Sequence, residues 1–541
     1  MNLKTYMRPV LVFVLAGFTA ISCTDDWDAH YNSAAGGKSD LYLFDYIQAQ
    51  PDLSIFANML KMSGYDKVLN ESSPYTVWAP SNESWSSTDG TLSLLALTME
   101  DTAAVRNIVK NHIAHYSCPV SKAVGNNIRM LNGKLFPFIK SGSDYLFGGV
   151  KLQTSDVSAQ NGILHTLTAN VPYRLNLWEH ILYASGIDSI QAYAQSLFKS
   201  TLDVSKSYQD GIFVDSVFKT TNKMLTYLGD MNVEDSIYTT IIPDNSAWNG
   251  AYDRISPFYK TLEKDGGIGA QMANTKWTIA RDLVFRKRLT PPLADGALYS
   301  TYGHKFLHPD SLFMGSEQYV LSNGYAYRTS QLWHNPADSW FKEIRVEAET
   351  FSETTGQKSN YTINAISSIG SKMDVSDGYY IACDPQSSSL FSQLYVTFPI
   401  PNTLSAKYNI YVVFVPTAIV DTTDHRPYKV NFYLAYTRSD GKVATSLLGK
   451  NLVTNPNNMT KMLVAENVEF PFCNIVDQTD MVNSTQSVIT GLTKNHDVIF
   501  KDKRYTSVYL KVENAAGVSS AELAAYNRKI RIDCIILEPV Q

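Results

Sequence analysis

Two histidines, His304 and His308, stand four residues apart, a spacing that on a helix would place both imidazoles on one face and offer a metal pair. The segment around them, Tyr302-Gly-His-Lys-Phe-Leu-His-Pro-Asp310, reads instead as strand and turn, so the pair is not expected to converge. His112 and His115 lie in a mixed apolar segment and read as satisfied core residues. Gly36-Gly-Lys-Ser39 has the end of a phosphate loop but neither the leading glycine nor a preceding strand. No HExxH, GxSxG or strand-flanked GxGxxG is present, and no carboxylate spacing marks an acid/base pair. Among five cysteines none has CxxC spacing, and if Cys23 is set aside only Cys118 precedes the last third. That is no disulfide framework; one bridge among Cys383, Cys473 and Cys534 is left open. Catalysis is therefore not expected.

The elements that must carry any site come next. A chain of 541 residues predicts roughly three domains. A formal charge of −5 with both signs interspersed shows no strongly basic face and argues against a nucleic-acid partner. At the start, Lys4 and Arg8 precede an apolar run from Val10 to Ile21, too short to span a bilayer and right for a signal peptide. The run ends in Thr19-Ala-Ile-Ser-Cys23, which resembles a bacterial lipobox; the resemblance implies acylation of Cys23 after removal of residues 1–22. Thr24-Asp25-Asp26 resembles the export signal of surface lipoproteins in bacteria that feed through SusC/SusD-type systems. Residues 23–40 then read as a lipidated tether, anchored to the outer membrane and not threaded through it.

An internal repeat follows. Tyr75-Thr-Val-Trp-Ala-Pro80-Ser-Asn82 returns 163 residues later as Tyr238-Thr-Thr-Ile-Ile-Pro243-Asp-Asn245, and Asn161-Gly162 returns after 162 residues as Asn323-Gly324. Each first box reads as a buried strand stopped by proline, with its Asn at a helix N-cap or tight turn. Each second box reads as a hairpin turn. The helical pattern at Leu43–Ile47 recurs at Leu177–Ile181 with an offset of only 134, so the second copy carries an insertion in the region 190–230. These boxes, with Ile108-Val-Lys-Asn-His-Ile-Ala-His-Tyr116 between them, resemble the fasciclin (FAS1) family. The resemblance implies two α+β domains, 41–173 and a divergent 174–340, in which Leu283 stands for His112. It also implies adhesion or protein binding in place of enzymatic work.

After Trp340 short strands dominate, such as Ile344–Glu349, Tyr408–Phe414, Lys429–Ala435 and Lys529–Ile536, which predicts an all-β sandwich over 341–541. Its first and last strands resemble those of galactose-binding-like jelly rolls, including carbohydrate-binding modules. In that family terminal-strand acids can hold a structural calcium, which the resemblance places at Glu347, Glu349 and Asp533. Acids on edge strands also serve to block strand pairing, and that plainer role is the favoured one. Tyr379, Tyr380 and Tyr395 are the candidate sugar platforms, although core packing is the favoured role for each and this third has no Trp. The expected protein is a non-catalytic surface lipoprotein that binds glycan or peptide beside a SusC/SusD-type transporter; the alternative is an adhesin that binds host or matrix protein through its fasciclin domains.

Overall fold

The computed structural model describes residues 39–86, 101–209, 212–293, 296–349, 361–368, 374–387, 394–475 and 508–540. Cys23 and the tether before Ser39 lie outside the described residues. Two compact units are present. One holds the described residues up to Trp178, with Met231–Ser236 and Leu321–Asn323; the other holds Glu179–Asp230, Ile237–Val320 and Gly324–Gln541. Among the described residues no helix is long and apolar enough to cross a membrane.

In the first unit, β1 (Tyr75–Pro80), β2 (Ile113–Ala114), β3 (Asn126–Arg129), β4 (Leu135–Ser141), β5 (Asp144–Phe147), β6 (Val150–Ala159) and β7 (Gly162–Leu167) form one sheet in the order β2-β1-β7-β6-β5-β4-β3. β1 runs parallel to β7, with Tyr75 opposite Gly162 and Pro80 opposite Leu167. All six residues of β1 are buried, because both of its faces are covered. Val77 joins the helix-side core with Phe56, Leu60 and Val109, while Trp78 joins Phe138, Phe147 and Leu167 on the other side. Gly162 is obligatory: a Cβ there would sit 2.0 Å from the Tyr75 carbonyl oxygen.

The second repeat adds β8 (Phe198–Leu202), β9 (Tyr208–Gln209), β10 (Ile212–Phe213), β11 (Phe218–Asn222), β12 (Tyr238–Pro243), β13 (Val284–Arg286), β14 (Leu298–Tyr299), β15 (Lys305–Phe306), β16 (Glu317–Leu321) and β17 (Gly324–Thr329). Its main sheet has the order β13-β12-β17-β16, again with the boxed strand parallel to the strand after Asn-Gly. The insertion is the stretch holding β8 to β11, built as two small two-stranded ribbons. Asn222 closes its neck, donating from Nδ2 to the Ala194 carbonyl at 2.8 Å and capping the helix Lys223–Leu228.

Asn82 opens the short turn Asn82–Ser86 and Asn245 the helix Asn245–Ile255, but neither side chain caps its own element. Asn82 accepts the Ile55 N–H at 3.1 Å and Asn245 accepts the Ser189 N–H at 2.9 Å, so each caps an earlier helix across space. In the second repeat Asp244 takes the local cap, accepting the Ala247 N–H.

The C-terminal strands are β18 (Ile344–Glu347), β19 (Tyr361–Ser367), β20 (Tyr379–Pro385), β21 (Tyr395–Pro399), β22 (Lys407–Phe414), β23 (Lys429–Thr437), β24 (Val443–Val453), β25 (Thr460–Glu469), β26 (Tyr509–Asn514) and β27 (Ile530–Pro539). One sheet runs β19-β20-β27-β22-β25, with β18 also on β27; the other runs β21-β26-β23-β24. The alternating burial of β22 and β23 and the Phe414–Phe432 contact put the shared apolar layer between them. The chain is thus multidomain, an α+β portion followed by β-sheets. All four described cysteines are free thiols, so no bridge joins Cys383, Cys473 or Cys534.

Candidate functional site

Pairing of β18 with β27 sets Glu347 opposite Cys534. The β22–β27 ladder slips between Val413 and Phe414, which pair with Cys534 and Ile532, and leaves Asp533 as the extra residue of a bulge. The bulge re-aims Asp533, so ligand atoms of Glu347, Asp533 and Cys534 all lie within 4.8 Å of one another. The turn Ser376–Gly378 covers the cluster. The Ser376 N–H donates to Asp533 Oδ1 at 2.9 Å and the Ser376 hydroxyl to Glu347 Oε1 at 2.7 Å. One oxygen of Glu347 and one of Glu349 are buried with no hydrogen-bond partner. Burial, then the neighbouring Glu347 and Glu349, pushes the Asp533 carboxyl up to about 7. Burial and the charges of Glu347 and Asp377 raise Glu349 as well. Orphaned oxygens and mutually repelling carboxyls are what a hard divalent cation would satisfy, so the acids fit calcium; the nearby Cys534 thiol, its pKa driven upward, does not. Of the three residues named from the sequence, Glu347 and Asp533 thus come together beside Cys534, while Glu349 acts on Asp533 through its charge.

The three candidate tyrosines do not. Tyr380 is a buried core residue, while Tyr379 is exposed on the opposite face of the same strand. Tyr395 lies in the other sheet, under the Lys511 ammonium at 4.3 Å. No shared sugar platform results, because neighbours on a strand alternate faces. His304 and His308 also separate: His304 is bonded inward while His308 lies exposed beyond β15.

A cleft that the sequence reading missed lies in the second unit, where the second repeat meets the C-terminal sheets. The Ser405 N–H donates to the Phe258 carbonyl and the Cys473 N–H to the Lys260 carbonyl, each at 2.8 Å. Phe258 packs edge-on against Trp340 at 4.5 Å. Beside this joint is a cavity of about 690 Å3. Behind the lining residues His304 and Ser339 lies the buried Asp282, which accepts from the Ser300 hydroxyl at 2.8 Å, the Ser339 hydroxyl at 2.5 Å and His304 Nδ1 at 2.8 Å. Those bonds, with the charges of His304 and Arg281, outweigh burial and hold the Asp282 carboxyl far below the usual range. The constellation is not a nucleophilic triad, since both serine hydroxyls are spent on the carboxylate and neither on the imidazole. Only spatial proximity across many separate segments makes the site, which is why no local motif announced it.

Comparison with known proteins bears on the first repeat. The Fasciclin domain family model matches residues 51–169. Stabilin-1 of Homo sapiens is 35% identical over 120 residues, covering 21% of this chain and 5% of that protein. Stabilin-1 of Mus musculus is 33% identical over 118 residues, covering 21% and 4%. The chain therefore spans about one twentieth of the length of these curated relatives. Among solved structures, the FAS1 domain pair from the insect cell adhesion molecule Fasciclin I is 13% identical, covering 55% of this chain and 97% of that one, with a TM-score of 0.18. Paenibacillus xanthan lyase is 11% identical, covering 40% and 16%, with a TM-score of 0.21. Residues 51–169 are a fasciclin domain, carried within a larger multidomain chain.

Proposed function

We propose that this chain is a non-catalytic outer-membrane lipoprotein, acylated at Cys23 and exposed on the cell surface, that serves as an accessory ligand-binding component of a SusC/SusD-type uptake system for glycan or peptide. Its fasciclin domain suits it to binding, and its C-terminal sheets are read as a galactose-binding-like jelly roll. One observation carries the docking half of this reading. The insertion of the second repeat exposes Phe198, Leu202, Val204, Ile212, Phe213 and Phe218, and Ile212 is 71% exposed. So many large apolar side chains on one small ribbon pair suit a protein partner, because water is a costly neighbour for them. The first repeat has no counterpart to this segment, so the sheet does not need it.

The test is co-purification from detergent-solubilised outer membranes. The full-length chain should retain transporter subunits, and a variant with residues 198–221 replaced by a short Gly-Ser link should lose them while still melting cooperatively. A wild-type chain that retains no transporter, or that retains matrix protein instead, overturns the reading.

The acidic cluster is proposed as a structural calcium site held by Glu347, Glu349 and Asp533. The pH dependence follows from the raised carboxyls. Asp533 has a folded pKa of about 7, above its unfolded value, so its contribution in cation-free protein is complete at low pH and is lost as pH rises through 7. Calcium offsets that loss, so its effect on the melting temperature should be greatest above pH 7 and vanish below about pH 5. Thermal melts in calcium and in chelator check this; a shift that is equal at pH 5 and pH 8 rules the site out.

A further inference from the structure

We propose that the cleft in the second unit is a binding site for an acidic saccharide, an oligosaccharide carrying carboxylate or sulfate groups. The inference deepens the binding reading above and rests on it. A volume of about 690 Å3 lies within the range of specific small-ligand sites and leaves room for more than one sugar ring.

The charge is one-sided. Lys223, Lys276, Arg281, Lys342 and Arg345 line the cleft, and Glu343 is the one carboxylate lining it. Glu343 is already engaged by Arg345 at 3.0 Å. This concentration of positive charge occurs on a chain whose formal charge is −5, so it is local and not a property of the whole surface. The buried Asp282 offsets part of this charge, but its oxygens are taken up by hydrogen bonds from Ser300, Ser339 and His304, and five lining cations remain against it and Glu343.

Arg281 is the most telling cation. Its side chain is only 16% exposed, and its Nε is buried without a hydrogen-bond partner. Asp282 Oδ2 is 3.9 Å from that nitrogen, too far to accept its proton. A buried guanidinium donor left unpaired is costly, and a planar carboxylate or a sulfate is the geometric match for it. Lys342 adds a partly buried cation: burial lowers its pKa against the opposing charges of Asp282 and Asp338.

The rings select among anions. Trp277 and Tyr302 meet edge to face with centroids 5.9 Å apart, and both are half-buried at the cleft wall. An apolar ring face beside cations suits the C–H face of a sugar that also bears acid groups. An acidic peptide would use the cations and leave the rings idle.

The experiment is calorimetric titration of the full chain in detergent micelles with four probes: an oligogalacturonate, a heparin-derived tetrasaccharide, a neutral cello-oligosaccharide and a poly-glutamate peptide. At least one acidic saccharide should bind, with affinity falling as salt rises, and the carboxylate and sulfate arms tell the two acid sources apart. Arg281→Gln and Trp277→Ala should each weaken binding tenfold or more. Because Arg281 sits near buried groups, Lys276→Gln, on a half-exposed helix position, gives a second variant that should weaken binding about threefold with an unchanged melt. Tyr183→Ser, at an exposed position outside the cleft, should bind as wild type. Equal binding of the neutral sugar or of poly-glutamate, or wild-type affinity in Arg281→Gln and Lys276→Gln, overturns the proposal. Failure of every acidic saccharide while transporter co-purification persists sinks this inference alone; saccharide binding without transporter co-purification sinks the uptake reading and leaves the site.

Discussion

Trp78 of the first repeat and Ile241 of the second occupy one place in two sheets. The Trp78 amide donates to the His112 carbonyl at 2.9 Å, and the Ile241 amide donates to the Leu283 carbonyl at 2.8 Å. The agreement extends to the asparagines before each Gly. Asn161 Oδ1 accepts the Leu43 N–H, and its Nδ2 donates to the Leu69 and Glu71 carbonyls. Asn323 accepts the Leu177 N–H and donates to the Met231 and Val233 carbonyls. The asparagines that satisfy these buried backbone groups are retained between the copies, whereas the apolar position beside them and the histidines His112 and His165 are not. The first copy extends its sheet through β3, β4 and β5; the second stops at β16 and spends its extra residues on an exposed ribbon and a cleft wall. At Trp78 and Ile241 divergence is tolerated because volume can be refilled, and at Asn161 and Asn323 it is resisted because three backbone groups would be orphaned.

The largest effect tests the refilled position. Trp78 stacks on Phe147 at 4.2 Å and on His165 at 5.3 Å, and its indole N–H has no acceptor, so removing it costs volume and no hydrogen bond. Trp78→Ala should destabilise the first repeat by about 4 kcal/mol and Ile241→Ala the second by about 3 kcal/mol, read from urea unfolding transitions. The asparagines should behave alike. Asn161→Ala and Asn323→Ala each strand three backbone groups and should each cost about 3 kcal/mol. If the second costs less than half of the first, the two copies do not share one scaffold.

Acid separates the copies. His112 and His165 are fully enclosed, and burial lowers both to about 4. Each ring is fixed as one neutral tautomer. His112 donates from Nδ1 to the Ile108 carbonyl and accepts the Val171 N–H at Nε2; His165 donates from Nε2 to the Cys118 carbonyl and accepts the Asp156 N–H at Nδ1. A second ring proton would point at an amide N–H. Because the folded pKa lies below the unfolded one, the stabilisation is complete above about pH 6.5 and is lost as pH falls towards 4. At pH 5 the loss is about 2 kcal/mol per histidine. The second copy has Leu283 and Tyr327 at these places, and its half-buried His334 is lowered by desolvation. His112→Leu should therefore flatten the first repeat's acid sensitivity between pH 7 and 5 by about 2 kcal/mol. Denaturation midpoints across that range decide it; an unchanged slope would mean the ring is not held neutral.

Much of the scaffold was legible in the sequence, because Tyr75–Asn82 and Asn161–Gly162 carry their signal in consecutive residues. A strand buried on both faces and an Asn-Gly turn are local patterns. The acids Glu347, Glu349 and Asp533 were reached through the resemblance of the strands that hold them, but the bulge that turns Asp533 into the cluster left no trace in residue type. Tyr379 and Tyr380 misled because adjacency in sequence means opposite faces on a strand. The cleft was invisible: Lys223, Arg281, His304 and Lys342 are brought together by tertiary contacts between segments that each look unremarkable alone.

The smallest effect is the sharpest test of the comparison. Thr76 Oγ1 donates to the Tyr116 carbonyl at 2.7 Å and accepts the Cys118 N–H at 2.9 Å. Thr239 Oγ1 donates to the Lys287 carbonyl at 2.8 Å and accepts the Leu289 N–H at 2.9 Å. Nothing in the residue types of Tyr116 and Lys287, or of Cys118 and Leu289, hints at a shared role, since only their main chains are used. Thr→Val keeps the shape and removes both bonds, so each substitution should cost about 1.5 kcal/mol, with the two values within about 0.5 kcal/mol of each other. Equal costs would place the equivalence of the copies in the backbone network, independent of the side chains that have drifted. A loss confined to Thr76→Val would mean that the second copy has kept the geometry and relaxed its energetic dependence on it, as expected of a repeat whose surface has been turned to another use.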